Sequence, residues 1–175
     1  MSILETLSGD LASMADGLAT AQRNAAAADH AAEQIAQRAV AGGFVGIAQN
    51  MARVRDAIKQ IHAAVTAAGV SVNEARAPVE QAPKQASPQE TAAALAPVVE
   101  RVNAVAGSVN AAVETVNQAQ KVAASVLQGG SPGPMLARLD AIKQALVQVN
   151  QRGAVASQHV EAALKEVRTV GDAGN

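Results

Sequence analysis

The sequence predicts an all-α protein in which two duplicated antiparallel helical hairpins form an elongated four-helix bundle or a coiled-coil-like assembly. Apolar residues recur at alternating spacings of three and four along almost the whole chain, which is typical of one buried helix face. Alanine, the strongest helix former, supplies 43 of the 175 residues. Clusters of glycine and proline divide the chain into four long segments, as turns between helices do.

The first predicted hairpin spans residues 1–77. Its first helix places leucine, methionine and alanine on one face along residues 4–39, and Gly42 with Gly43 ends it, because glycine is favoured just beyond a helix C-terminus. The second helix continues the same pattern along residues 47–72. No stretch alternates apolar and polar residues, so a strand is not predicted.

A linker rich in proline and glutamine is predicted over residues 78–88, and the second hairpin over residues 89–170. Ser87 and Glu90 flank a proline, and this is a strong helix start: serine as N-cap, proline at the first helical position and glutamate three residues after the cap. Pro97 is expected to kink this third helix or to mark the start of its regular part. Residues 171–175 are predicted to form a disordered tail.

The two hairpins resemble each other in sequence. A shift of 84 residues places residues 51–69 on residues 135–153, and eight of these nineteen positions are identical. The shift equals a whole number of heptads, so the buried faces of the helices coincide as well. The sequence therefore predicts two copies of one helical hairpin, joined by the linker.

Apolar residues also lie in and beside the two hairpin turns, where polar residues are usual. If the hairpins lie side by side, both turns meet at one end of the bundle. They then either pack on each other as a hydrophobic plug, or form an exposed patch for a partner protein or a membrane surface. The candidate partner-binding residues are Phe44 (the only aromatic residue), Val45, Ile47, Leu127, Met135 and Leu136.

Three asparagines, Asn103, Asn110 and Asn117, recur every seven residues beside the valine face of the third helix. They either limit how widely this face is buried or donate hydrogen bonds to a partner helix. In the second case they would fix the register or the oligomeric state.

The composition disfavours several functions. Cysteine is absent and the net charge is −1, which excludes thiolate chemistry and argues against nucleic-acid binding. His30 with Asp29 and Glu33 comes nearest to a metal-ligand spacing, but one helix face does not enclose an ion. Since no catalytic constellation is visible either, we expect no enzyme activity, catalytic residue, metal or cofactor. The longest stretch without a polar side chain, residues 39–48, is shorter than the roughly 20 residues that span a bilayer.

Residues 127–153 and 87–98 resemble a family of alanine-rich helical proteins of actinobacteria that has no assigned function. The composition is also similar to the helical N-terminal regions of polymorphic toxins. At the level of the fold alone, the chain resembles the helical hairpins of type VII secretion, although their Trp-Xaa-Gly turn is absent because the chain has no Trp. The resemblance implies an all-helical fold and identifies no functional residue.

We therefore expect a non-enzymatic helical interaction or scaffold protein, associated with secretion or with a toxin system. It would bind a protein partner or a second copy of itself. The alternative is an amphipathic protein that opens its hairpins to coat a membrane or a granule, although its narrow apolar faces suit helix packing better than lipid. The default location is the cytoplasm, with non-classical secretion left open.

Overall fold

The computed structural model describes residues 3–82, 87–126 and 133–173. These residues form four long α-helices, α1 (Ile3–Ala41), α2 (Val45–Gln81), α3 (Pro88–Val126) and α4 (Gly133–Ala173). The prediction of an all-α four-helix bundle is thus confirmed. With 37 to 41 residues each, the helices are about 55–60 Å long at 1.5 Å per residue.

Each helix packs against the next one in the chain, and α4 also packs against α1. Successive helices run antiparallel, so the α1–α2 turn and the ends of α3 and α4 that face residues 127–132 lie at one end of the bundle. We call this the tip end. The opposite end, the far end, contains the start of α1, the end of α2, the start of α3 and the end of α4. This topology places α1 diagonally opposite α3, and α2 diagonally opposite α4.

Two helix boundaries differ from the predicted domain limits. Helix α2 continues through Pro78 to Gln81, because its buried face continues with Ala75 and Val79 beyond residue 72, where the predicted apolar pattern ends. Helix α4 extends to Ala173, into the segment predicted as a disordered tail. Of the predicted linker and tail, residues 83–86 and 174–175 lie outside the described residues.

Helix α3 begins where the capping residues predict. The Ser87 backbone N–H donates to Glu90 Oε2 at 2.7 Å, and the Glu90 N–H donates to Ser87 Oγ at 3.3 Å. These reciprocal bonds form a capping box, which satisfies two backbone donors of the first turn. The same bonds hold the pKa of the Glu90 carboxyl below its usual range. Pro97 lies inside α3, between the buried residues Leu95 and Val98.

Large and small core residues are distributed unevenly along the bundle. Towards the far end, α1 supplies the large side chains Leu7, Leu11, Met14 and Leu18, and α3 supplies Leu95 and several valines. The buried residues of α2 and α4 there combine valines (Val72, Val79 and Val160) with smaller residues (Ala68, Ala75, Gly153, Ala156 and Ala163). Towards the tip end the roles reverse: α2 and α4 supply Met51, Ile58, Ile61, Met135, Leu139, Ile142 and Leu146, and α1 and α3 supply Ala21, Ala25, Ala28, Ala32, Ala112, Ala119 and Ala123. One diagonal pair therefore fills the centre while the other leaves room for it.

Helices α1 and α4 approach each other closely at two glycines. A Cβ atom added to Gly17 would lie 2.6 Å from Val149 Cγ2, and one added to Gly153 would lie 3.4 Å from Met14 Cε. The first distance is far shorter than the 3.5–4.0 Å at which carbon atoms normally meet. Gly17 therefore permits a contact between the two helices that a larger residue would obstruct.

Candidate functional site

The α1–α2 turn is fixed by backbone hydrogen bonds. The Phe44 N–H donates to the Ala39 carbonyl at 2.8 Å, and the Gly43 N–H donates to the Val40 carbonyl at 3.1 Å. Gly43 has a φ of +77°, the left-handed conformation that glycine adopts without a Cβ penalty. This is a Schellman ending of α1, and it gives Phe44 a defined position immediately after the helix.

Phe44 is also the N-cap residue of α2. Its carbonyl accepts hydrogen bonds from the N–H groups of Ile47 and Ala48, at 3.0 and 3.2 Å, but its side chain makes no capping hydrogen bond. Serine, threonine, aspartate and asparagine are strongly preferred at this position because their side chains cap the helix. An exposed phenylalanine breaks that local preference with no visible gain in stability, and such departures point to function.

Three large apolar side chains are exposed together at this turn. Val40, Phe44 and Val45 are 66%, 62% and 61% exposed, and we call them the tip cluster. The Phe44 ring lies over Gly42, since a Cβ atom there would be 2.9 Å from Phe44 Cδ2. Single exposed apolar residues are ordinary on a protein surface, but three within six residues at one turn indicate a contact surface.

The other candidate partner-binding residues are placed differently. Ile47 is partly buried against the core, Met135 is buried, and Leu136 is partly buried. Leu127 lies outside the described residues. The structure thus brings Phe44 and Val45 together at the surface, and it adds Val40, which precedes Phe44 by one helical turn.

Positive charge surrounds the tip cluster. Residues 34–53 and 118–139 contain four basic residues and no acidic one. All four basic side chains are exposed, each lies on a different helix, and no carboxylate of the described residues is within ion-pair distance of them. We call them the tip cations: Arg38 on α1, Arg53 on α2, Lys121 on α3 and Arg138 on α4.

The far end carries the opposite charge. Residues 1–20, 70–105 and 150–175 contain ten acidic and six basic residues. The helices that begin there have an acidic residue in the first turn, Glu5 in α1 and Glu90 in α3, whereas α2 and α4, which begin at the tip end, have none. The small net charge therefore conceals a separation of charge along the bundle axis.

The predicted asparagine series makes one hydrogen bond between helices. Asn150 Nδ2 on α4 donates to Asn110 Oδ1 on α3 at 2.7 Å, while Asn150 Oδ1 is buried and has no partner. Asn103 is exposed, and Asn117 lines an open groove between α3 and α4. The Asn110–Asn150 bond lies within one chain, and a role of these residues in register or oligomeric state stays a prediction.

The charged side chains between the helices form pairs. Arg55 on α2 donates to both Asp29 oxygens at 2.9 and 3.2 Å, and it lies 3.6 Å from Glu33 on α1. The hydrogen bonds from Arg55 lower the pKa of Asp29, against the opposing effect of its partial burial. His159 Nδ1 lies 2.8 Å from Asp10 Oδ2 across α1 and α4. These pairs connect neighbouring helices and create no reactive arrangement.

The residues nearest to a metal-ligand spacing have other partners. Asp29 and Glu33 bind Arg55, and His30 Nε2 shares a hydrogen bond of 3.0 Å with Gln34. Over the three described ranges, no three His, Cys, Asp or Glu side chains are grouped so as to hold a metal ion. Nor does any helix in this part of the chain combine the length and the apolar character needed to cross a membrane.

Comparison with known proteins identifies the second hairpin. Residues 86–172, which include α3 and almost all of α4, match a family of unknown function (DUF6244). The second hairpin is therefore similar to this family. The segments whose resemblance was noted above, residues 87–98 and 127–153, both fall within the DUF6244 match, whereas the tip cluster lies in the first hairpin, outside it. No curated protein and no solved structure matches the chain.

Proposed function

We propose that the chain is a non-enzymatic interaction protein, of the scaffold or adaptor type, that binds its partner through the tip cluster. The observation that supports this most directly is Phe44, the only aromatic residue. It is exposed on a turn that backbone hydrogen bonds hold in place. A rigid exposed aromatic side chain loses little conformational entropy on binding, so it is well suited to anchor a contact.

The rest of the bundle suits a supporting role. Its apolar residues are buried in one continuous core along the four helices, so the long body is a stiff support for the turn. The two flank grooves, between α3 and α4 and between α1 and α4, are open and lined by mixed polar and apolar residues. The tip end is thus the part of the surface that is best prepared for a specific contact.

Site-specific photo-crosslinking in the native host tests this proposal. A photoreactive amino acid replaces Phe44, and a matched control replaces Val70, an exposed apolar residue of α2 towards the far end. We expect discrete adducts from position 44 and none of them from position 70. Equal adduct patterns from both positions, or no adduct to protein or lipid from position 44, would refute the tip as the binding surface.

A second variant separates binding from folding. Phe44→Ser removes the exposed ring and supplies a favoured N-cap, which is expected to stabilise α2 by up to about 1 kcal/mol. A photoreactive residue in place of Val45 should then give fewer adducts in Phe44→Ser than in the parent protein. Unchanged adducts would show that Phe44 makes no contribution to the contact, whatever its effect on stability.

A further inference from the structure

We infer that the surface bound by the tip end is an anionic lipid surface: the tip cluster enters its apolar boundary while the tip cations bind the headgroups. This inference rests on the proposed function and names the class of surface that the same site binds. It differs from the alternative predicted from the sequence, in which the hairpins open to coat a membrane or a granule. Here the bundle stays closed and contacts the lipid with one end.

The tip cluster and the tip cations lie at different heights along the bundle axis. The tip cluster occupies the end of α1 and the start of α2. Of the tip cations, Arg53 is the most distant from its helix end, eight residues after Val45; at 1.5 Å per residue this is about 12 Å. Arginine and lysine extend their charged ends by several ångströms towards a polar boundary, which covers part of this distance. Apolar insertion to a depth of about 5–10 Å therefore brings all four charges to the headgroups.

The tip cations are distributed around the bundle axis. One tip cation projects from each of the four helices, so the cations encircle the end of the bundle and do not form a stripe along one side. A stripe would follow a nucleic-acid backbone, but a ring around an apolar centre matches a flat anionic surface approached end-on. Two acidic residues, Glu33 and Asp140, lie at a depth similar to that of Arg53, so the four tip cations still leave this layer with a net positive charge.

The tip cluster has a convex shape. Its residues lie on a tight turn, whereas the two larger grooves lie on the flanks between helices and a smaller, open one lies beside the last turns of α1. A protein partner would need a matching pocket for the turn, while a lipid surface adapts to it. The acidic far end is repelled by the same surface, so the bundle is expected to stand upright with α1 and α3 pointing towards the lipid.

Co-sedimentation of the full chain with vesicles tests the inference. One set of vesicles is pure phosphatidylcholine, and the other contains phosphatidylglycerol in addition. We expect binding to the anionic vesicles only, with binding weakened by salt because exposed charges are screened. Far-ultraviolet circular dichroism should show unchanged helicity on binding, since the bundle stays closed.

Matched variants locate the contact. Arg38→Gln with Arg138→Gln should weaken vesicle binding about 20–30-fold, since each basic residue near an anionic surface contributes about fivefold. Arg152→Gln with Lys165→Gln removes the same charge from exposed residues in the middle of α4 and towards its far end and should leave binding unchanged. Phe44→Ser should also weaken binding, although it retains all four tip cations.

Three results would overturn the inference: equal binding to both kinds of vesicle or to neither, equal loss in the two charge variants, or a change of helicity on binding. Failure of the lipid inference is distinguishable from failure of the proposed function. If vesicles do not bind but position 44 still forms a discrete adduct with a protein, the tip remains the binding surface and only the lipid is wrong. If neither occurs, both are refuted.

Discussion

Replacing Gly17 by alanine tests the packing of α1 against α4. In most helices this change is stabilising by about 0.5–1 kcal/mol, because alanine loses less backbone entropy than glycine on folding. At position 17 the new Cβ would lie 2.6 Å from Val149 Cγ2. The contact is about 1 Å too short, so one of the two groups must move.

Neither group moves easily. Val149 is buried, and a β-branched side chain on a helix has one strongly preferred χ1 rotamer. Overpacking of this kind costs about 1–3 kcal/mol. We therefore expect Gly17→Ala to lower the free energy of unfolding by up to about 2 kcal/mol net, after the helix-propensity gain of about 0.5–1 kcal/mol.

The matched control is Gly107→Ala on α3, where an added Cβ meets nothing within 4 Å. It should raise the free energy of unfolding by about 0.5–1 kcal/mol. Urea denaturation followed by far-ultraviolet circular dichroism measures both variants, and the two changes should differ by about 1–3 kcal/mol.

A double-mutant cycle identifies the cause. In a Val149→Ala background the obstructing methyl group is gone, so Gly17→Ala should become stabilising, as Gly107→Ala is. The coupling energy between positions 17 and 149 should then be about 1–3 kcal/mol. If Gly17→Ala stabilises the unmodified protein as much as Gly107→Ala does, the helices are not as close as described and the reasoning fails.

Three further changes test other contacts. Asp29→Asn should destabilise the bundle by about 1 kcal/mol at pH 7. Because Arg55 lowers the pKa of Asp29, this stabilisation is present above about pH 4 and is lost as the pH falls further. A constant difference between the two proteins in urea denaturation down to pH 3 would contradict the pairing. Ser87→Ala should lower the melting temperature by about 2–4 °C, through loss of about 1 kcal/mol of capping, and an unchanged temperature would show that the capping box contributes nothing. Gly43→Ala should lower the free energy of unfolding by about 1–2 kcal/mol because the φ of Gly43 is positive, whereas Gly46→Ala should not lower it. Equal thermal stability of the two variants would contradict the Schellman ending.

The helices and their buried faces could be predicted from the sequence because both depend on local spacing. Residues such as Leu11, Val65 and Val109 follow the three-four pattern and are fully or almost fully buried. The end of α2 was predicted too early because Pro78 resembles a linker residue. Its neighbours Ala75 and Val79 keep the buried face intact, and this outweighs the hydrogen bond that proline removes.

The candidate site could be predicted only in part. The position of Phe44 in a turn follows from the glycines before it, but its exposure depends on how the turn packs against the rest of the tip end. The tip cations are separated by up to 100 positions in the chain, and only the antiparallel arrangement places them around one end. The contact at Gly17 likewise depends on the register between α1 and α4, which no local pattern specifies.

The alternation of large and small core residues has a consequence for how the halves of the chain assemble. Each hairpin contains one helix that is bulky towards the far end and one that is bulky towards the tip end. A twofold rotation about the bundle axis exchanges α1 with α3 and α2 with α4 and preserves this alternation. Two copies of the second hairpin would therefore repeat this alternation, with Leu95 and valines of α3 in place of Leu7, Leu11, Met14 and Leu18 of α1. A separate polypeptide containing only the DUF6244 hairpin is expected to fold as a symmetric homodimer, with its stability dependent on concentration.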